Sequence, residues 1–407
     1  MAPTSHPLLC ALRRNPAGAV LIALQTGITL AILVNATAIV AHAIRTMQRP
    51  TGLDTRDTFV MQVAGLSKHF NVYGRSSENL AYLQHLPGVV AASVIFGIPL
   101  TNNGDAGSVG RSPGLQGSTV TSAYLPVDRQ GLRALGVPLV AGRDFRVGEI
   151  RVPSRAHPQP RIGVVIVTQA LAHALFAHQS ALGQSIYMMG GHTPATIVGI
   201  TGNFMGPQLL GAAGAYDTVL VPEIVTQYAL YDLLVRTQPG KRLAVLRAAQ
   251  RHIGAADPNA VIGMTLTLTR AKRLLYSGRR NLAIFLALLA VVMLALCSLG
   301  IFGLGTFNVT TRTRQIGIRR ALGARRRDIV ALFLAENAIT TSAGAIFGCL
   351  LALGIGQWLT AYDGLARLDP WYLLSGVAVL ALISTLAAWQ PARRAARIPP
   401  SVATRTV

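Results

Sequence analysis

Residues 312–328 read RTRQIGIRRALGARRRD, and apolar segments lie directly on both sides of them. Seven arginines (Arg312, Arg314, Arg319, Arg320, Arg325, Arg326, Arg327) stand against one acid, Asp328. Within the stretch Ile316, Ile318, Ala321 and Leu322 fall at mixed i, i+2 and i+5 spacings, which predicts a short amphipathic helix or turn and not a membrane span. Gly323 is placed to stop that helix, and Ala324 to Asp328 lead into the next one. An arginine cluster between two apolar segments marks a cytoplasmic loop by the positive-inside rule. Taken by itself, the stretch reads as a topology signal.

Working outward, the flanking segments read as membrane spans. The chain is 51 % hydrophobic and only 13 % charged, with mean hydropathy +0.45, too apolar for an ordinary soluble enzyme. Leu282 to Thr311 carries no charge and continues back through Arg279-Arg280 toward Arg270, which predicts one unbroken helix projecting above the bilayer as a stalk. Gly300, Gly303 and Gly305 within it suit close packing or a bend. A third span occupies 329–362 and holds Gly344-Ala-Ile-Phe-Gly348, a GxxxG, a motif that is weak by itself. A fourth runs over 370–390, opened by Pro370, with Trp371, Tyr372 and Trp389 near its interfaces. Near the start, Arg13 and Arg14 precede an uncharged run from Asn15 to Ile44, about 45 Å long as a helix against a core of about 30 Å. Ala41-His42-Ala43 imitates a cleavage site, but the run is far longer than a signal-peptide core, so an uncleaved first span is expected. Gln25, Thr29 and Asn35 should face other helices, because lipid offers them no hydrogen bond.

Residues 46–268 change character. Charges of both signs appear, with Gly, Pro and period-two runs. Asp57 to Gly65, a helix over Ser76 to Leu86 with Ser76 or Ser77 as its cap, and Val89 to Phe96 form one βαβ half. Tyr231 to Thr237, Pro239 to Ile253 and Ala260 to Leu268 form the other. Together they predict a split, ferredoxin-like module, with residues 102–225 as an inserted mixed α/β subdomain. Gly148 to Arg161 reads as an exposed loop in it. The predicted fold class is thus an α-helical membrane protein with four transmembrane helices and an α+β extracytoplasmic domain between spans 1 and 2. Its segments are 1–45 (cytoplasmic N-terminus and first span), 46–268 (external domain), 269–311 (stalk and second span), 312–328 (loop), 329–362 and 370–390 (third and fourth spans) and 391–407 (cytoplasmic tail). Arg270, Lys272, Arg273, Arg279 and Arg280 flank the second span on the outside against the positive-inside trend, which long translocated domains largely escape.

The net charge of +22 admits nucleic-acid binding or loops beside anionic lipid; the placement of the arginines at span ends favours lipid, and no nucleic-acid partner is expected. The cysteines, Cys10, Cys297 and Cys349, all fall in or beside apolar segments, so the external domain uses no disulfides. No GxxxxGK[ST] is present, and Lys68, Lys241 and Lys272 all lack the glycines such a loop needs. HExxH and GxSxG are absent as well, and His173 and His178 stand at a poor ligand spacing. Asp105 and Asp144 sit beside glycines in turns. No catalytic, cofactor-binding or metal residue is expected in this chain. Glu336 is the one acid inside a predicted span, open to a structural role at a helix start or to a coupling role.

IGIRRALGARRRDI, with Phe333 and Ala335-Glu336 following, resembles the signature of the FtsX-like permease family of ABC transporters. GLRALGVPLVAGRDF at 131–145, IVTQALAHALF with ALGQSI at 166–186, and PARRAARIPPSVA at the C-terminus resemble the MacB-type periplasmic core and the family's closing motif. The resemblance implies a non-enzymatic permease subunit whose 312–328 loop, with Arg314, Ile316, Ile318, Arg319, Arg320, Leu322 and Gly323, couples to a cytoplasmic ABC ATPase, and adds Glu336 as a coupling candidate. It implies ATP and Mg bound by the partner ATPase, and a homodimer or a heterodimer with a second permease. A periplasmic adaptor and an outer-membrane channel are further implied partners, in the bacterial inner membrane. It also implies mechanical transmission to the external domain, with export of peptide-like or amphipathic substrates. An FtsX-type regulator of wall hydrolases and a lipoprotein-release permease are the alternatives within the family.

Overall fold

The computed structural model describes residues 16–67, 70–153, 162–177, 179–208, 210–211, 214–363 and 368–399. The chain forms two compact units, Gln48–Gly278 on the one hand and Met1–Met47 with Arg279–Val407 on the other. Among the described residues, helix α1 (Pro16–Met47) comes first.

The middle unit begins with β1 (Thr58–Gly65), α2 (Val72–His85) and β2 (Val89–Ile95). Helix α2 starts four residues before the expected Ser76, because the Asn71 side chain accepts the Gly74 amide at 2.9 Å and Val72 is already in the core. Ser76 instead lies buried inside the helix, its hydroxyl bonded to the Tyr73 carbonyl. The insertion follows: β3 (Asp105–Gly110), β4 (Thr119–Val127), α3 (Gly131–Leu135), β5 (Leu139–Gly142), β6 (Val164–Thr168), α4 (Gln169–Phe176), β7 (Ser185–Met188), β8 (Ala195–Thr201) and β9 (Thr218–Pro222). Strands β4, β3, β7, β8, β6 and β9 pair in that sequence, and β9 returns to β4 in parallel, so the six close into a ring. Closure leaves these strands no free edge, the standard hazard of an inserted sheet. The ring encloses Val109, Val165, Val167, Ile186, Ile197 and Val219.

The second half of the split module is β10 (Leu230–Thr237), α5 (Arg242–Ala256) and β11 (Ala260–Thr267). The four strands lie in the order β11-β1-β10-β2, all antiparallel, which is the ferredoxin-like arrangement. Both faces are covered: Phe59, Met61, Val63 and Leu233 pack with Leu83 of α2 and Val245 and Ile253 of α5, and Val60, Leu234 and Leu266 pack with Leu132 and Leu135 of α3. That explains why the central strands read as continuous apolar runs. A buried acid breaks the run inside β10. Asp232 of β10 is 2 % exposed, accepts Gln62 Nε2 at 3.1 Å, and burial pushes its carboxyl up to about 6 against the opposing hydrogen bonds from Gln62 and the Gly97 amide.

Helix α6 (Leu268–Leu275) is capped by Thr267. The expected unbroken stalk is interrupted directly after it: Tyr276 has φ −95° and ψ 4°, and only then does α7 (Ser277–Thr311) begin. The cause is the Tyr276 ring, which is buried in the middle unit with its hydroxyl 3.7 Å from Met205 Sδ.

The remaining elements are α8 (Thr313–Ala321), α9 (Arg326–Asp363) and α10 (Pro370–Ala395). Helices α1, α7, α9 and α10 are each long and apolar enough to cross a membrane. Around Leu30, Val34, Cys297, Ile301, Ala352 and Leu380 they form one core. The GxxxG of α9 lies against α1: a Cβ on Gly344 would fall 2.6 Å from the Ala23 carbonyl, and one on Gly348 2.6 Å from that of Gly27. Gln25 donates to the Leu296 carbonyl of α7 at 2.9 Å and Asn35 to the Ala352 carbonyl of α9 at 3.3 Å, so these polar residues do face neighbouring helices. Thr29 is buried with them.

Candidate functional site

The arginine-rich stretch becomes a turn, a helix and a second turn. Thr310, Thr311 and Thr313 hydrogen-bond back to carbonyls three and four residues earlier, a pattern that bends helices, and α7 ends at Arg312 with φ −105°. Helix α8 ends at Ala321 and is closed off by Gly323, whose φ of +98° an L side chain resists. The Gly323 amide bonds the Arg320 carbonyl and the Ala324 amide bonds that of Arg319, the paired closure of a Schellman motif. Asp328 then accepts the Arg325 amide at 2.8 Å and starts α9.

Two side chains fasten this hairpin inward. Ile316 is 4 % exposed and packs with Val309, Ile329, Ala395 and Ala396. Arg320 donates to the Ile398 carbonyl at 2.5 Å, beyond the end of α10. Ile316 is therefore part of the chain's own core and not the free contact expected of it. The opposite face is open: Ile318 is 48 % and Leu322 83 % exposed, four residues apart and so on one side of α8. Arg314, Arg319, Gly323, Arg325, Arg326 and Arg327 are exposed with them.

Glu336 is not idle. Arg312 Nη1 donates to both of its carboxylate oxygens at 3.0 Å, with the two side chains 22 % and 16 % exposed. The pair ties the corner between α7 and α8 to the second turn of α9's apolar stretch. It lines a cleft of about 60 Å³ to which Gly18 of α1, Gly305 and Asn308 of α7, Asn337 of α9 and Pro391 of α10 also contribute. All four spans thus meet where the arginine-rich stretch begins. The link to Arg312 is a contact sequence reasoning missed; the only available signal was one acid and one flanking arginine, twenty-four positions apart.

Among the described residues no three His, Cys, Asp or Glu side chains gather as metal ligands. His173 stands in α4, while His178, Lys68 and most of the 148–161 loop lie outside the described residues. Asp144 accepts its neighbour's amide, Phe145 N–H, at 2.7 Å in the loop after β5, not in the turn expected of it.

The model of the MacB-like periplasmic core domain matches residues 20–253, and that of the FtsX-like permease C-terminal region matches 287–400. The chain belongs to the MacB-type FtsX-like permeases. It is accordingly a multi-pass protein of the inner membrane with the middle unit outside the cytoplasm, which puts α8 on the cytoplasmic side. The macrolide export ATP-binding/permease protein MacB of Chromobacterium violaceum is 27 % identical over 69 % of this chain and 43 % of its own length. The protein of the same name from Agrobacterium fabrum is 30 % identical with the same coverage. The chain spans less than half the length of these relatives. The periplasmic region of MacB from Actinobacillus actinomycetemcomitans aligns over 56 % of this chain and 96 % of its own at 10 % identity and a TM-score of 0.34, too low to carry weight.

Proposed function

We propose that this permease is the membrane subunit of an ABC exporter, and that α8 with its flanking turns is where an ATP-binding partner grips it. The observation that carries this reading is the split of α8 into two faces. Ile316 and Arg320 fasten it to the membrane unit, while Ile318 and Leu322 stand exposed in a segment whose Arg314, Arg319, Arg325, Arg326 and Arg327 are exposed as well. An exposed apolar pair with a cationic rim fits an apolar cleft with an acidic rim. ATP and Mg would be held by the partner, whose closure would push α8. Through Arg312–Glu336 the push would reach α9 as well as α7, and from there the external domain would act as a mechanical transmitter. The permease would pair with a second copy or a sister permease, with a periplasmic adaptor and outer-membrane channel completing the path. The substrate would be amphipathic or peptide-like; relatives named for macrolide export support the amphipathic reading.

Affinity purification of the full chain from native membranes tests this. An ABC ATPase recovered in about equal amount, with ATP hydrolysis that the permease modulates, is the expected result. Recovery of a wall hydrolase would favour the regulator, and a crosslinked lipoprotein the release permease. A purified preparation free of any ATP-binding protein would refute the proposal.

A further inference from the structure

At the extracytoplasmic end of the membrane unit, α1, α9 and α10 leave a cavity of about 160 Å³, the room of about five waters. Its polar lining comes from Asn35, His42 and Arg45 of α1, Thr360 of α9, and Asp369 with Tyr372 at the start of α10. The depth follows from helix packing. Gln25 of α1 lies against Gly300 of the antiparallel α7, and twenty residues further along α1, about 30 Å, is Arg45. That distance carries Arg45 from the inner half of the bundle to the outer headgroup layer. Exposed Trp371, on the first turn of α10, marks the same layer.

The chemistry of the lining is two-sided. His42 and Arg45 stand one turn apart on one wall, and Arg45 is exposed with no carboxylate partner among the described residues. Asp369 forms the other wall. One of its oxygens, Oδ1, accepts the Trp371 amide at 3.2 Å, and among the described residues Oδ2 meets no other donor. Asn35 is already committed to the carbonyls of Ala31 and Ala352, so it shapes the wall. A simple anion in this cavity would meet the Asp369 carboxylate, and a simple cation would meet Arg45. A group carrying both signs a few bonds apart satisfies both walls. Toward the bilayer centre, α9 and α10 expose Leu353 and Leu374, apolar surface suited to acyl chains.

We propose that this cavity binds one phospholipid headgroup of the zwitterionic, primary-amine kind, phosphoethanolamine, with its phosphodiester on Arg45 and His42 and its ammonium on Asp369. A primary ammonium donates a hydrogen bond to the carboxylate, which a quaternary one cannot. The site is independent of ATPase docking and accounts for a cation that topology leaves without a role.

The test uses the full-length protein in nanodiscs of equal phosphatidylethanolamine and phosphatidylglycerol, with retained lipid counted by native mass spectrometry. One phosphatidylethanolamine per chain is expected, enriched about tenfold over phosphatidylglycerol, the scale of one charge-assisted hydrogen bond. Asp369→Asn, which caps α10 as well as aspartate does, should abolish that preference and admit phosphatidylglycerol. Arg45→Gln, at an exposed position, should reduce retention of both lipids about tenfold. Wild-type retention at the bulk ratio, a preference that survives Asp369→Asn, or retention unchanged by Arg45→Gln would each overturn the proposal. Displacement of the lipid by millimolar inorganic phosphate would overturn it too, because the cavity would then be a free-anion site.

Discussion

Arg312 and Glu336 show how much one contact changes a residue's meaning. In sequence, Glu336 is an acid near a helix start; in the fold, it is the receiving end of a two-oxygen clamp from the corner of the arginine-rich stretch. The two halves of the pair are not equivalent. Arg312→Ala strands a largely buried carboxylate, whereas Glu336→Ala leaves an arginine long enough to reach the cytoplasmic surface. Arg312→Ala should therefore destabilise the purified permease by about 1–3 kcal/mol and by more than Glu336→Ala, read as thermal unfolding in detergent. The exchange Arg312→Glu with Glu336→Arg should recover part of the loss. Asp232 gives a second residue-scale prediction. Its carboxyl titrates near 6 in the fold against 3.8 as a free group. The folded state thus holds the proton more tightly, so this group's contribution falls as pH rises from about 4 to about 7. At pH 7 it amounts to a deficit of about 3 kcal/mol. Asp232→Asn should raise the external domain's melting temperature at pH 7.5 and leave it nearly unchanged at pH 4. A variant without any gain at pH 7.5 would show that Asp232 is not the strained group.

Among the elements, α9 shows what a motif can and cannot announce. Gly344 and Gly348 were recognisable as a GxxxG, but nothing in their spacing named α1 as the partner. The fold supplies it through carbonyls of Ala23 and Gly27 that leave no space for a side chain. Gly348→Val should cost about 1–3 kcal/mol through overpacking. Gly303→Ala, where nothing lies within 4 Å of the added carbon, should be tolerated. Comparable losses from both would remove the special role given to the α1–α9 contact. The ends of α8 were legible for a local reason: Gly323 is the residue a left-handed cap requires, and Asp328 the one a helix start favours. The interruption at Tyr276 was not legible, because it comes from a ring anchored far away in sequence beside Met205. Likewise Asn71 displaced Ser76 as the cap of α2 because Val72 is drawn into the core. Local chemistry reads from local sequence; long-range packing does not.

At the scale of the whole molecule, four apolar runs and a two-part βαβ pattern sufficed to read an α-helical membrane protein with an α+β domain between its first two spans. The ring closure of the insertion was hidden, since the parallel pairing of β4 with β9 joins residues 95 positions apart, as Ala123 and Thr218 are. The split character of the arginine-rich stretch was hidden as well. Sequence placed Ile316, Ile318 and Leu322 on an equal footing, and the fold separates one core residue from two exposed ones. That separation yields the most direct test of the account. The ATPase that co-purifies with the wild-type permease is to be quantified against Ile318→Asp and Leu322→Asp, with span topology checked by cysteine accessibility. A charge at either exposed position should leave four correctly oriented spans and reduce recovered ATPase at least tenfold, because an unpaired carboxylate at a buried interface costs several kcal/mol. Full recovery of the ATPase with both variants would contradict docking at α8 and leave the arginines as a topology signal alone.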